Sequence, residues 1–228
     1  MLTNETKERV TARQGRLHTY SKFDPKRTAF VVIDLQYYFT QPGYQSECSA
    51  SRATFPVINR LAQKLRSAGG QVVWIQTCSD NADVFWSRFQ SDMLTPERSA
   101  RRLADLASDS EGFALAPGLD VSGDDLLLKK RFYSAFIQGS SDLHEILQSK
   151  AIETILIGGT ATNVCCESTA RDAMMLNYAT IMVADALSAV TEAEHVQALQ
   201  GWMLYFGDVL TADQVIDRLS CDTVAVAD

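Results

Sequence analysis

Three side chains of different chemistry close short apolar runs in this sequence. Asp34 ends Thr28-Ala-Phe-Val-Val-Ile-Asp34, and Lys130 ends Asp125-Leu-Leu-Leu-Lys-Lys130. Cys165 lies just beyond Ile155-Leu-Ile-Gly158, after the small and polar stretch Gly158 to Asn163. The carboxyl ends of parallel strands share one edge of an open sheet, where such folds build their sites. A carboxylate, an amine and a thiol at that edge form a nucleophilic set. Asp34 would take the thiol proton, Lys130 would hold thiolate and substrate by charge, and Cys165 would attack a carbonyl carbon. Each residue has a plainer reading. Asp34 suits the cap of a following helix. Lys130 suits a solvated strand end, and Cys165 a small core residue. Vicinal Cys165 and Cys166 also fit a redox pair, though no C-x-x-C motif accompanies them. All three groups together are harder to obtain by accident than any one.

The elements that must position them read as alternating strands and helices. Thr28 to Asp34, a helix from Phe55 to Ala68 stopped by Gly69-Gly70, and Gln71 to Gln76 make a βαβ unit. A third strand spans 125–130, followed by a short helix at 141–148. Then come a strand at 155–158, a helix from Val164 to Asn177, and a strand at 180–185. A helix at 192–204, an edge strand at 208–210 and a helix at 212–219 finish the pattern. This alternation predicts a three-layer α/β/α fold with about six mostly parallel strands. The helix reading puts Cys165 at a helix start, where unpaired N–H groups and the helix dipole predict a lowered thiol pKa. Residues 78–124 read as mostly irregular, with one helix at Ser99 to Ala107. A connection that long suits a lid or pocket wall. Trp86, Phe89 and Met93 are candidates to line it or to pack it down.

The chain is long enough for one full-sized core. A net charge of −7 argues against a nucleic-acid partner, which needs a basic face. The five cysteines are irregularly spaced, so the sequence predicts no disulfide framework and a reducing compartment. Met1 to Tyr20 is polar and mixed in charge, and no later apolar run is long enough for a bilayer. The expectation is a cytoplasmic protein without membrane partners. Residues 1–24 read as an arm and residues 25–228 as a single domain.

Three segments together resemble the isochorismatase-like hydrolases, and within them the cysteine hydrolases. They are Val32-Ile-Asp-Leu-Gln36, Lys130-Arg-Phe-Tyr-Ser-Ala-Phe136 and Gly158-Gly-Thr-Ala-Thr-Asn-Val-Cys-Cys-Glu-Ser-Thr-Ala-Arg-Asp-Ala173. The resemblance makes Asp34 the general base, Lys130 the cationic member and Cys165 the nucleophile. Lys130 rather than Lys129 stands at the family's spacing from Ser134 of the Ser-Ala-Phe segment. The resemblance also implies a cis peptide bond between Thr160 and Ala161, and an oxyanion hole made by the Ala161 and Cys165 N–H groups. Cys166 replaces an apolar residue common there and reads as core; a nucleophile at Cys166 instead would shift the register by one. Gln36, Tyr37, Phe39 and Tyr133 follow strand ends and could wall the pocket or simply pack. Glu167, Arg171 and Asp172 read as a helix-surface or interface network.

Nicotinamidases of this family bind a metal through an Asp-x-His pair and a further histidine. The histidines here, His18, His144 and His195, all fall outside 78–124, so the expectation is no metal and no other cofactor. Isochorismatases proper lack the cysteine, which directs the reading to the amidase branch. The surroundings of Cys165 look most like ureidoacrylate, biuret and carbamoyl-amide hydrolases. The implied activity is hydrolysis of a C–N bond in a small amide, ureide or carbamoyl compound, through a thioester, with release of ammonia or an amine. The alternatives are a nicotinamide-like substrate, or a non-catalytic oligomeric α/β module. Similar proteins imply a homodimer or homotetramer.

Overall fold

The computed structural model describes residues 2–219; Cys221 lies outside them. The chain begins with α1 (Asn4–Gln14), β1 (Thr28–Ile33), the short α2 (Tyr37–Thr40), α3 (Phe55–Ser67) and β2 (Gln71–Thr77). The connection to β3 (Leu126–Lys130) carries α4 (Ala82–Phe85), α5 (Ser87–Asp92) and α6 (Pro96–Asp105). There follow α7 (Leu143–Ser149), β4 (Thr154–Thr160), α8 (Glu167–Met175), β5 (Ala179–Ser188), α9 (Glu192–Tyr205), β6 (Asp208–Leu210) and α10 (Ala212–Arg218). The six strands form one sheet in the order β3-β2-β1-β4-β5-β6, and every pairing is parallel.

Strand composition explains the order. β1 is Thr-Ala-Phe-Val-Val-Ile and is buried throughout, as a strand covered on both faces must be. One face packs Val31, Ile33, Ile75, Ile155 and Ile157 with Leu199 and Trp202 of α9. The other packs Phe30, Val32, Trp74 and Leu156 with Ile58, Leu61 and Leu65 of α3. Two apolar cores on opposite faces make the three layers. β3 alternates in burial until Lys130, as an edge strand does. Gly159 (φ +109°) lets β4 lie close along β1, because a Cβ there would collide with the Ile33 backbone.

Helix α1 rests on α9. Val10 enters the core, and the Thr6 hydroxyl donates to Gln200 Oε1 at 3.1 Å. Buried Asp208 takes the next segment, accepting from Thr19 N–H at 2.8 Å and pairing with His18 Nδ1 at 2.9 Å. Among the described residues, no helix is long and apolar enough to cross a membrane.

Two sequence expectations need correction. The 78–124 connection is more helical than read. α4 and α5 have four and six residues, too short to show a period. α6 starts earlier than expected because Thr95 caps it, accepting from Arg98 N–H, with Pro96 in its first turn. The second correction follows β4, which runs on to Thr160. The chain then makes a π-type turn over Thr162–Cys166, and α8 begins only at Glu167. Cys165 therefore lies in the turn and not in an α-helical first turn.

Candidate active site

The strand order reverses between β1 and β4. From β1 the chain builds outward through β2 to β3, then returns to lay β4 on the other side of β1. A crevice opens at the carboxyl ends of two strands whose connections leave in opposite directions. Asp34 directly follows β1 and Cys165 follows β4, so topology alone brings both to that crevice.

Local backbone and hydrogen bonds set the rest. Asp34 has φ +56°, a left-handed conformation uncommon outside glycine, and its N–H is held by Ile75 O at 2.9 Å. Its Oδ1 accepts from the Thr77 N–H at 3.1 Å and the Thr77 hydroxyl at 2.9 Å. Lys130 is fully buried. Its Nζ pairs with Asp34 Oδ2 at 2.9 Å and donates to Thr77 Oγ1 at 2.6 Å. It also donates to Phe132 O at 3.1 Å and reaches Cys165 Sγ at 3.5 Å. Thr77 thus accepts from the ammonium and donates to the carboxylate, which orients its hydroxyl. Beyond the ion pair, Asp34 Oδ2 has no hydrogen-bond partner among the described residues. The peptide bond between Thr160 and Ala161 is cis. The Ala161 carbonyl accepts from the Val164 and Cys166 N–H groups at 3.1 and 3.2 Å and so shapes the turn that carries Cys165.

Burial pushes the Cys165 thiol up to about 12; the Asp34 carboxylate adds to the rise and the Lys130 ammonium opposes it. The expected lowering at a helix start is therefore reversed. The thiol is almost wholly buried beside a carboxylate, and desolvation outweighs any dipole. Burial works against the charge on Lys130, but Asp34 and Cys165 outweigh it and hold the ammonium above its ordinary pKa. At rest the site holds a protonated thiol over a buried ion pair.

Cys165 forms part of the floor of a cavity of about 350 Å³, the size of a small-molecule site. Trp86 and Phe89 stack with centroids 4.3 Å apart on one wall, and Tyr133 meets Trp86 edge-on at 4.9 Å. Phe39, Phe132 and Arg102 line it as well. Among the described residues, no group of three His, Cys, Asp or Glu is placed to hold a metal ion. His18 bonds Asp208, His144 bonds Tyr178 Oη, and His195 bonds Thr162 Oγ1.

An isochorismatase domain model matches residues 28–214. The chain belongs to the isochorismatase family. Ureidoacrylate amidohydrolase RutB of Methylorubrum extorquens is 33% identical over 214 residues, 88% of this chain and 86% of that protein. Ureidoacrylate amidohydrolase RutB of Stutzerimonas stutzeri is 34% identical over 202 residues, 82% of this chain and 80% of that protein. The crystal structure of a cysteine hydrolase from Pseudomonas syringae pv. phaseolicola superposes with a TM-score of 0.78 at 29% identity, covering 89% of this chain and 96% of that one.

In this isochorismatase-family chain Asp34, Lys130 and Cys165 meet, while the expected pocket walls divide. Phe39 and Tyr133 line the cavity. Gln36 does not: it is buried beneath the site, where its Oε1 accepts from Thr77 N–H at 2.8 Å and its Nε2 donates to Thr77 O at 3.0 Å and Phe113 O at 2.9 Å. Tyr37 also lies outside the lining, since α2 turns it the other way from Phe39. Trp86 and Phe89 face the cavity, but Met93 is 73% exposed and lies off it. Cys166 is buried, its Sγ near Gly158 O at 3.9 Å, as a core residue. Arg171 pairs with Glu167 on the surface of α8 and covers the Phe206 ring. Sequence reasoning missed Thr77 and Arg102. Thr77 stands at the carboxyl end of β2, so the rule that found Asp34 would have found it had the strand been extended by one residue. Arg102 gave no signal among the charges of a polar helix.

Proposed function

We propose that this protein is a cysteine amidohydrolase that cleaves a C–N bond of a small amide, ureide or carbamoyl compound through a thioester. Hydrolysis of amide C–N bonds follows from the family and from two ureidoacrylate amidohydrolase relatives of similar length. The thioester route and the ureide class are the proposal. The observation that carries it is Lys130 Nζ, 2.9 Å from Asp34 Oδ2 and 3.5 Å from Cys165 Sγ, beneath the cavity floor.

In this mechanism the thiol stays protonated until substrate arrives. As Sγ bonds to the carbonyl carbon, its proton passes to Asp34, whose Oδ2 has a free lone pair. Lys130 stabilises the negative charge while it is on sulfur. The N–H groups of Ala161 and Cys165 hold the tetrahedral oxyanion. Asp34 returns the proton to the departing nitrogen, which leaves as ammonia or an amine. It then takes a proton from the water that attacks the thioester and passes it to the sulfur as the C–S bond breaks, which restores the resting thiol and carboxylate. No cofactor enters the scheme. The same proposal includes a cytoplasmic homodimer or homotetramer built from one hydrolase domain, 25–228, with residues 1–24 as an arm.

Ammonia release from ureidoacrylate, biuret, N-carbamoyl amino acids, simple primary amides and nicotinamide tests the reading. The expected result is turnover of ureido or carbamoyl compounds, accompanied by a trapped acyl adduct on Cys165. Turnover of nicotinamide alone would move the substrate class. Silence across the panel would favour the non-catalytic module.

A further inference from the structure

Among the described residues, each charge that lines the cavity or lies buried beneath it has a partner except one. Asp34 is paired with Lys130. Glu47, on the cavity wall, is held by Arg52 at 2.8 Å. Arg102 also lines the cavity and is only 7% exposed, yet among the described residues its side chain enters no ion pair and its Nε has no hydrogen-bond partner. Its guanidinium lies 5.3 Å from the Phe89 ring centroid and 5.9 Å from that of Tyr38. Those rings hold the group by cation–π attraction but cannot satisfy its N–H donors. A buried guanidinium without an acceptor is costly, and a planar fork of donors matches a carboxylate. Tyr38 in turn is fixed from behind, its hydroxyl accepting from Gln45 Nε2 at 2.9 Å. The fork is thus held in place before any ligand enters.

We propose that Arg102 is the carboxylate-binding residue of this site, so that the substrate is a short ureido or carbamoyl acid with its carboxylate on Arg102 and its carbamoyl carbon over Cys165. The inference rests on the amidohydrolase reading and adds the charge of the substrate to it. A cavity of about 350 Å³ leaves room for only a few atoms between the two ends. Phe89 and Trp86 would flank that linker.

The test separates binding from turnover. In a Cys165→Ala background, N-carbamoylglycine, 3-ureidopropionate and 3-ureidoacrylate are titrated by calorimetry against propylurea, which has the carbamoyl end without the acid. The best acid is expected to bind at least about tenfold tighter than propylurea, the scale of a charge-assisted pair. Adding Arg102→Gln should remove that preference, and Arg102→Lys should restore part of it. Thermal melting of each variant shows that the fold is retained. In the enzyme with Cys165 intact, Arg102→Gln should raise KM for the acid far more than it lowers kcat. Three results would overturn the proposal: equal binding of acids and propylurea, no binding of any acid up to its solubility, or a preference for acids that survives Arg102→Gln. If the acids bind through Arg102 but none releases ammonia, the carboxylate site stands and the amidohydrolase reading fails. If neutral amides are hydrolysed as well as acids, the reverse holds.

Discussion

The floor and the wall of the cavity are built on opposite plans. The floor comes from three strand ends and one turn, and its polar groups are bound to one another: Asp34 to Thr77 and Lys130, Lys130 also to Phe132 and Cys165. Much of the wall comes from short helices in the connection after β2, whose Trp86 and Phe89 are held by ring contacts with Phe132 and Tyr133 from the segment after β3; Phe39 and Glu47 complete it. Among the described residues, its one charged donor without an acid partner is Arg102. A closed hydrogen-bond set at rigid strand ends fixes reacting atoms with little freedom. Stacked rings on short helices fix a shape that can be altered without touching those atoms. The difference teaches that the polar set and the shape of the cavity rest on largely separate elements, with Phe132 shared between them.

The contrast is sharpest at the nucleophile. Cys165→Ala is expected to lower turnover by at least about 10⁴-fold, the scale for losing a nucleophile. Far-UV circular dichroism and the melting curve should stay close to those of the parent. Substantial remaining activity would place the chemistry elsewhere. Next comes Lys130→Met, which strands Asp34 as a buried charge without its cation. Chemical denaturation should show a loss of about 3–5 kcal/mol along with the activity; an unchanged midpoint would mean that the floor is not the closed set described.

A third expectation concerns pH. With the Cys165 thiol pushed up to about 12 from an ordinary 9.0, the free enzyme holds almost no thiolate at neutral pH. Its alkylation by iodoacetamide should be slow at pH 7 and climb about tenfold per pH unit well beyond 9, where an ordinary thiol levels off. The sign for stability agrees. The folded chain keeps a proton that the unfolded chain releases near 9, so this group's contribution falls as pH rises from there towards 12. A rate plateau below pH 8 would show a thiolate stabilised at rest and would overturn the protonated resting thiol described for the floor. The smallest effect belongs to the wall. Trp86→Leu should raise KM by up to about tenfold, the value of its ring contacts, with kcat little changed and the alkylation profile unmoved. A matching fall in kcat would mean that wall and floor are coupled.

Much of the floor was legible because it obeys strand logic. The buried runs ending at Asp34 and Lys130 carry their chemistry at the strand terminus, where period and burial are readable in one dimension. The wall was less legible. Trp86 and Met93 look alike as apolar residues in an irregular stretch, yet one faces the cavity and the other is mostly exposed. Helices as short as α4 and α5 have no period to reveal which face turns inward. Gln36 shows the same limit at closer range: two residues past a catalytic-looking aspartate, it serves the backbone below the site instead of the pocket.

By itself the amino-acid sequence determined the alternation of strands and helices, and therefore a parallel sheet with one edge for chemistry. Together with the resemblance of three segments to a known family, it also pointed to the acid, amine and thiol at that edge, because strand ends and turns are local features. Only the tertiary structure decided the protonation of Cys165, the bracing role of Thr77 and Gln36, and the isolation of Arg102. Each of those depends on what surrounds a side chain in space, on how far water is excluded and which partner is within reach, and neighbours along the chain do not encode it.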